Sequence, residues 1–309
     1  MTLPIRAFGR TDLRPTALGF GAMELKRLSD GESELLLNRA LDEDINYIDT
    51  SPDYPTSEER IGRFLAGRRD EFILATKCGC NPHLDEPGSG HKHTFDAATL
   101  ERNIEESLRL LRTDHIDVWQ LHGATPDKLI GGPAGEVVQT MQRLKRQGKV
   151  RYIGVSLRHG PKTESGYPTA YGYHGIQQYI TWSVFDMIQI VYGGMVRASE
   201  EAIRRGAEHG LGIVVRGVVR NYRDSFPQLF CDAGLEDLLE EGEDRHSFLT
   251  RFALSHPSIS TMIIGTRDQE HLAANVRTVL KGPLSPKVYA EAKRRLASIG
   301  SEPGAIPTF

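Results

Sequence analysis

Eight short runs of apolar and β-branched residues, separated by stretches of helical period, constrain this chain more than any other feature. The runs lie at 18–23, 47–50, 72–77, 116–122, 152–156, 186–192, 212–217 and 261–265. Helical periodicity is clearest at 99–112, where Leu100, Ile104, Leu108 and Leu111 share a face, and at 135–147, where Val137, Val138, Met141 and Leu144 do so. Further helices are predicted at 32–43, 57–66, 197–209, 245–255, 268–280 and 286–298. Strand and helix alternating eight times in an undivided chain of 309 residues predict an α/β fold, a (β/α)8 TIM barrel spanning 1–309 as one domain. A doubly wound sheet is the runner-up. Gly19-Phe20-Gly21 resembles the opening of a dinucleotide fingerprint, but Glu24 stands where its third glycine belongs.

Residues 5–16 read as an N-terminal β-hairpin able to plug the bottom of the barrel. Long irregular stretches at 80–98, 123–134, 157–179 and 218–244 all follow predicted strands. They are therefore expected as long loops at the C-terminal face, where barrels build their pockets.

Charged residues make up 26% of the chain with a net charge of −3, both signs mixed, which points to neither a nucleic-acid nor a membrane partner. Residues 1–8 lack the apolar core of a secretory leader, and the three cysteines, Cys78, Cys80 and Cys231, form no disulfide framework. The expectation is a soluble cytoplasmic protein.

Strand alternation then singles out the ends of three consecutive runs. Tyr47 shares a face with Asp49; Ile73 and Ala75 with Lys77; Ile116, Val118 and Gln120 with His122. Asp117, Trp119 and Leu121 face the other way, so Trp119 is expected among the helices rather than at a substrate. Tyr54 follows in the loop after Asp49. An acid, a phenol, a lysine and an imidazole arriving together are the parts needed to protonate a carbonyl oxygen.

Asn46 to Gly62, containing Asp49, Tyr54 and Ser57-Glu58, resembles the aldo-keto reductase signature. Ala75-Thr76-Lys77, Asp117 to His122 and Gly148 to Ser156 are similar to further blocks of that family, in the same order. The resemblance implies NAD(P)H-dependent reduction of an aldehyde, ketone or sugar-like carbonyl, or the reverse oxidation. It makes Tyr54 the general acid. A free phenol, with a pKa of about 10, is a poor acid near pH 7, and a cationic Lys77 nearby stabilises the tyrosinate. Asp49 holds Lys77 charged, and His122 orients the carbonyl.

The same resemblance implies a cofactor site of Gly21, Ala22, Ser156, Gln189, Arg216, Gly217, Val218, Gly265, Thr266, Arg267, His271 and Asn275. Ser156 and Gln189 match carboxamide contacts, although Leu157 stands where the family usually has Asn. Arg216 replaces a stacking aromatic; it can stack on nicotinamide, bind pyrophosphate, or form a rim salt bridge. Thr266 and Arg267 suit a 2′-phosphate and favour NADP(H) over NAD(H), with the following helix dipole assisting.

Met23, Tyr54 and His122 are the candidate substrate contacts. Cys78, Cys80, His83, His91 and His93 follow Lys77 without zinc-finger spacing, so a polar substrate loop and no metal is expected. Tyr167, Tyr171, Tyr173, Tyr179 and Trp182 are expected to line a pocket or cap the barrel. The competing readings are a cofactor-binding regulatory or redox-sensing subunit with little turnover, and a lyase using Lys77 as a Schiff base. The lyase needs a neutral Lys77, which Asp49 opposes.

Overall fold

The computed structural model describes residues 2–81, 93–157, 171–219 and 226–304. Eight parallel strands close into a barrel in chain order: β1 (Leu18–Gly21), β2 (Tyr47–Asp49), β3 (Ile73–Cys78), β4 (Ile116–His122), β5 (Val150–Ser156), β6 (Met187–Val191), β7 (Gly212–Arg216) and β8 (Thr261–Ile264), with β8 pairing back onto β1. Closure excludes the doubly wound sheet and leaves no strand edge unpaired.

Alternation along the strands sorts the apolar residues into two layers. Tyr47, Ile73, Ala75, Val118, Met187, Val214 and Ile263 fill the barrel interior. Ile48, Leu74, Trp119, Leu121 and Ile188 point outward and pack under the helices, Trp119 fully buried among them as predicted. The N-terminal segment closes the interior from below. Ile5 bridges Thr16 in antiparallel fashion, the Arg6 amide donates to the Pro15 carbonyl at 2.9 Å, and Phe8 is wholly buried in the interior cluster. A Cβ at position 212 would meet the Phe8 ring at 2.6 Å, so the plug requires Gly212.

Ten helices surround the strands: α1 (Asp30–Asp42), α2 (Ser57–Leu65), α3 (Ala97–Leu111), α4 (Glu136–Arg146), α5 (Tyr171–Trp182), α6 (Glu200–Glu208), α7 (Phe226–Asp232), α8 (Arg245–Leu254), α9 (Gln269–Leu280) and α10 (Pro286–Ser298). Their starts follow local chemistry. Ser29 and Glu32 form a reciprocal capping box on α1, and Asp96, Asp244, Asp268 and Ser285 cap α3, α8, α9 and α10.

Four expectations are corrected. The first strand stops at Gly21, and Ala22–Arg27, with Met23, forms a 3-10 turn. The stretch 157–179, expected as irregular, contains the start of α5. The stretch 218–244 contains α7 and a 3-10 turn at Leu235–Leu238. Residues 123–134 carry two short 3-10 turns, Pro126–Lys128 and Gly132–Ala134.

Glu58 ties three of these elements together. Its Oε1, buried on α2, accepts from Thr76 Oγ1 of β3 at 2.6 Å and from Ser107 Oγ of α3 at 2.9 Å. Burial pushes its carboxyl up from about 4.5 to about 7. Between those values the folded chain keeps a proton that the unfolded chain has released, so this group's contribution to stability is full below about pH 4.5 and falls as pH rises. Glu58→Gln removes that dependence. Urea unfolding should show the variant gaining on the parent by up to about 3 kcal/mol between about pH 5 and about pH 7. A difference that stays constant with pH contradicts the assignment.

Candidate active site

The barrel register brings the polar strand ends to one level. Gly21 pairs with Asp49, Lys77 with Gln120, His122 with Ser156, and Ser156 with Gln189. Asp49 is buried at the end of β2 and its two oxygens are fully used. Oδ1 accepts from Lys77 Nζ at 2.7 Å; Oδ2 accepts from Gln189 Nε2 at 2.7 Å and Gln120 Nε2 at 3.1 Å. Lys77 donates again to the Thr50 carbonyl at 2.7 Å. Burial alone would lower the Lys77 pKa, but the Asp49 carboxylate and the Tyr54 phenol outweigh it and raise the value, so the ammonium stays charged.

Tyr54 sits on a loop held by short backbone bonds. Its amide donates to the Ser51 carbonyl at 2.9 Å and its carbonyl accepts from the Ser57 amide at 3.0 Å. Ser57 Oγ lies 2.8 Å from Thr50 Oγ1 and donates to the Ala22 carbonyl at 3.1 Å, fixing the loop between β1 and β2. Thr56 adopts φ 62°, a left-handed conformation uncommon for a β-branched residue. The result places the Tyr54 ring with its centroid 5.1 Å from Lys77 Nζ and edge-on to the His122 ring at 6.4 Å.

Behind His122 lies a cluster that motif spacing did not reveal. Asp53 Oδ2 stands 2.9 Å from His122 Nδ1 and 2.8 Å from His93 Nε2, while Cys80 Sγ lies 3.4 Å from His122 Nδ1. Burial would raise the Asp53 pKa, but hydrogen bonds from both imidazoles hold it below the usual carboxylate range. Burial, with the Lys77 charge, lowers His122 to about 3, so its ring is neutral at ordinary pH. A neutral ring facing a carboxylate carries its proton on Nδ1, which leaves Nε2 with a lone pair. His83 and His91 lie outside the described residues. The sequence signal for Asp53 was its place directly before Tyr54; nothing in the spacing linked it to residues of the next two strands.

A cavity of about 600 Å³ opens at this end of the barrel, lined by Asp49, Tyr54, Lys77 and His122. Of the expected cofactor and substrate residues, Gly21, Met23, Ser156, Gln189, Arg216, Gly217, Val218 and Gly265 line it. Ala22 does not; it is fully buried, its carbonyl engaged by Ser57. Ser156 Oγ donates to Gln189 Oε1 at 2.8 Å, which couples both residues to Asp49. Arg216 Nη2 donates to the Leu157 carbonyl at 2.9 Å, and no salt bridge to Arg216 is found among the described residues.

Thr266, Arg267, His271 and Asn275 lie beyond that cavity, past the end of β8. Arg267 and His271 are exposed and Asn275 is half-buried. Arg267 Nε is 3.9 Å from Glu24 of the opposite loop. Asp268 Oδ1 accepts from the His271 amide at 2.9 Å, so the carboxylate already occupies the α9 N-terminus that was expected to assist a phosphate.

The aromatic cluster is partly core. Tyr179 is fully buried, donates to the Ala124 carbonyl at 3.1 Å, and packs edge-on against Trp182 and Phe185. Tyr167 lies outside the described residues, as do the side chains of Tyr171 and Tyr173. No helix among the described residues is long and apolar enough to cross a membrane.

The sequence profile of the Aldo/keto reductase family matches residues 17–221. The chain belongs to that family. An uncharacterized oxidoreductase of Bacillus subtilis (strain 168), YqkF, is 27% identical over 88% of this chain and 90% of its own length. An aldo-keto reductase of Schizosaccharomyces pombe, yakc [NADP(+)], is 34% identical over 50% of this chain and 46% of its own. The holo form of an aldo-keto reductase from Bacillus halodurans superposes with a TM-score of 0.80 at 28% identity, covering 95% of this chain and 96% of that one. Membership makes this chain an oxidoreductase of carbonyls and alcohols from a family that uses nicotinamide cofactors and small-molecule substrates.

Proposed function

We propose that this aldo-keto reductase uses NADPH in preference to NADH to reduce an aldehyde, ketone or sugar-like carbonyl, or runs the reverse oxidation, in the cytoplasm, with Tyr54 as general acid. One observation carries the reading: a buried Lys77 cation, anchored by Asp49 at 2.7 Å, lies 5.1 Å from the Tyr54 ring centroid in the wall of a cavity shared with His122.

The cavity fits a nicotinamide cofactor. The polar side chains of Ser156, Gln189 and Arg216 line one wall, and Gly21 and Gly265 line it as well; a Cβ at position 265 would come within 2.8 Å of the Gly21 carbonyl, so the two chain segments pack closely there. Ser156 and Gln189 would hold the carboxamide, and Arg216 the pyrophosphate or the ring face. When bound, that cofactor supplies a hydride to the carbonyl carbon. Tyr54 delivers its phenolic proton to the oxygen as negative charge grows there. Lys77 stabilises the tyrosinate left behind, and Asp49 keeps Lys77 charged and in place. His122, with its proton on Nδ1, accepts at Nε2 and so orients a hydroxyl; donating to a carbonyl requires the other tautomer. The buried, protonated thiols of Cys78 and Cys80, whose pKa values burial pushes well up, do not favour the redox-sensing alternative.

Tyr54→Phe should lower kcat for aldehyde reduction by about 10²–10⁴-fold, followed by nicotinamide absorbance, while calorimetry finds the NADPH Kd nearly unchanged. Full activity in that variant removes Tyr54 from its role. NADPH preference rests on Arg267. Arg267→Ala should weaken NADPH about fivefold and leave NADH nearly unaffected, since one exposed charge-assisted contact is worth about 1 kcal/mol. Equal loss for both cofactors contradicts a 2′-phosphate contact.

A further inference from the structure

We infer that Asp53, Cys80, His93 and His122 form a binding site for one divalent cation of the zinc class, set directly behind the active-site cavity. One donor atom from each residue falls within 4.8 Å of the other three. The set of one thiolate, two imidazoles and one carboxylate is the mixture that borderline-soft, tetrahedral ions select. Ligands on such an ion sit about 3.3–3.7 Å apart, given metal–ligand bonds of about 2.0–2.3 Å. Three of the donor pairs stand at 2.8 and 2.9 Å, from Asp53 Oδ2 to the two imidazoles, and at 3.4 Å, from Cys80 Sγ to His122 Nδ1, and all the pairs lie within 4.8 Å, which brackets that spacing.

Two further observations point to a ligand. Asp53 is almost completely buried, yet its Oδ1 has no hydrogen-bond partner among the described residues. Oδ2 meanwhile takes both imidazoles. Its ion-pair contacts among the described residues are these two histidines alone, whereas the neighbouring Asp49 has the full charge of Lys77. Among the described residues, then, this buried carboxylate has an idle oxygen and no fixed cation, an arrangement that is costly unless something positive joins it.

The ligands are also held in advance. Asn103 Oδ1 accepts from the amides of Gly79 at 2.8 Å and Cys80 at 3.2 Å, and its Nδ2 donates to the Cys80 carbonyl at 2.9 Å. Gly79, at φ 80° with the Phe95 ring 2.5 Å from where a Cβ would stand, turns the chain so that Cys80 bridges His93. Asp53 is tethered by its own amide to Ser51 Oγ at 3.2 Å. Such outer supports orient metal ligands. A second cavity, of about 990 Å³ between α2 and α3, has Cys80 in its wall.

Charge and protons balance. Near neutral pH the cluster holds the Asp53 carboxylate, two imidazoles and the Cys80 thiol. The Zn–S bond forms as the S–H bond breaks and its proton leaves to solvent. An imidazole that binds through the nitrogen that had carried hydrogen takes a proton on the other. The dication then meets two anionic ligands, and the site is neutral. Binding therefore moves the His122 proton to Nε2, turning that atom into a donor; on the reductase reading, this is the form a carbonyl oxygen requires.

The test uses the full chain, stripped with chelator and titrated with cobalt(II) and zinc(II) chloride. Cobalt should give a thiolate-to-cobalt charge-transfer band and the intense visible bands of tetrahedral coordination, saturating at one ion per chain and erased by zinc. Calorimetry near pH 8 in buffers of different ionisation enthalpy should find about one proton released per zinc. Cys80→Ser should abolish the charge-transfer band and His93→Gln should weaken zinc at least tenfold, while Cys231→Ser, at a thiol bonded to Glu236 on the outer surface, should leave both unchanged. Absence of the band in the parent chain overturns the site, as does its persistence in Cys80→Ser, its loss in Cys231→Ser, or binding without proton release. The parent-chain measurements decide the matter even where a variant fails to fold, and none depends on turnover, so they stand apart from the reductase reading.

Discussion

The Asp49–Lys77 ion pair is the interaction on which the C-terminal end of this barrel depends. Both groups are buried, and two charges removed from water stay charged only where their remaining hydrogen-bonding capacity is met. Asp49 meets it with donors from three strands, Lys77 of β3, Gln120 of β4 and Gln189 of β6. Lys77 adds the Thr50 carbonyl at the start of the Tyr54 loop. The pair therefore fixes the relative heights of four strands and the base of the loop that carries the phenol. A one-residue slip of any of those strands would turn its polar end from the cavity into the apolar layer beneath the helices.

The same constraint divides the labour of the site. Asp49 is committed to Lys77, so it cannot also set the state of His122. That falls to Asp53, four residues on, whose carboxylate faces His122 Nδ1 at 2.9 Å. Two carboxylates from one short segment thus control two different partners. Asp49 holds a cation beside Tyr54, and Asp53 decides which nitrogen of His122 carries hydrogen.

Much of this was legible in the sequence, for physical reasons. Strand alternation put His122 on one face of its strand and Trp119 on the other, and gave Asp49 and Lys77 the same place at the ends of theirs, because a period of two fixes which residues of a strand share a face. The eight runs had the length and composition of buried parallel strands. Tyr171–Trp182 hid its helix because Gly172, Gly175 and several aromatic and β-branched residues give it weak helical propensity; tertiary packing overrides that preference. Met23 read as strand because its apolar run continues past Gly21, yet the chain must turn there to meet Ser57 at the Ala22 carbonyl. The grouping of Asp53, Cys80, His93 and His122 was not legible. Its members come from the β2 loop, both sides of the segment after β3, and the end of β4. The parallel pairing of β2 with β3 and of β3 with β4, and the Cys80–His93 bridge, bring them together. The Ser156–Gln189 bond, similarly, depends on a neighbour relation between β5 and β6 that local pattern does not encode.

The most direct test of the central claim is a double-mutant cycle on the buried pair, Asp49→Asn and Lys77→Met, read by urea unfolding. Each single change leaves one charge buried without its partner and should destabilise the chain by about 3–5 kcal/mol. The double variant removes both charges and should recover about 1–3 kcal/mol relative to the sum of the single losses. Strictly additive losses, or single variants as stable as the parent, would contradict the claim that this pair holds the site together.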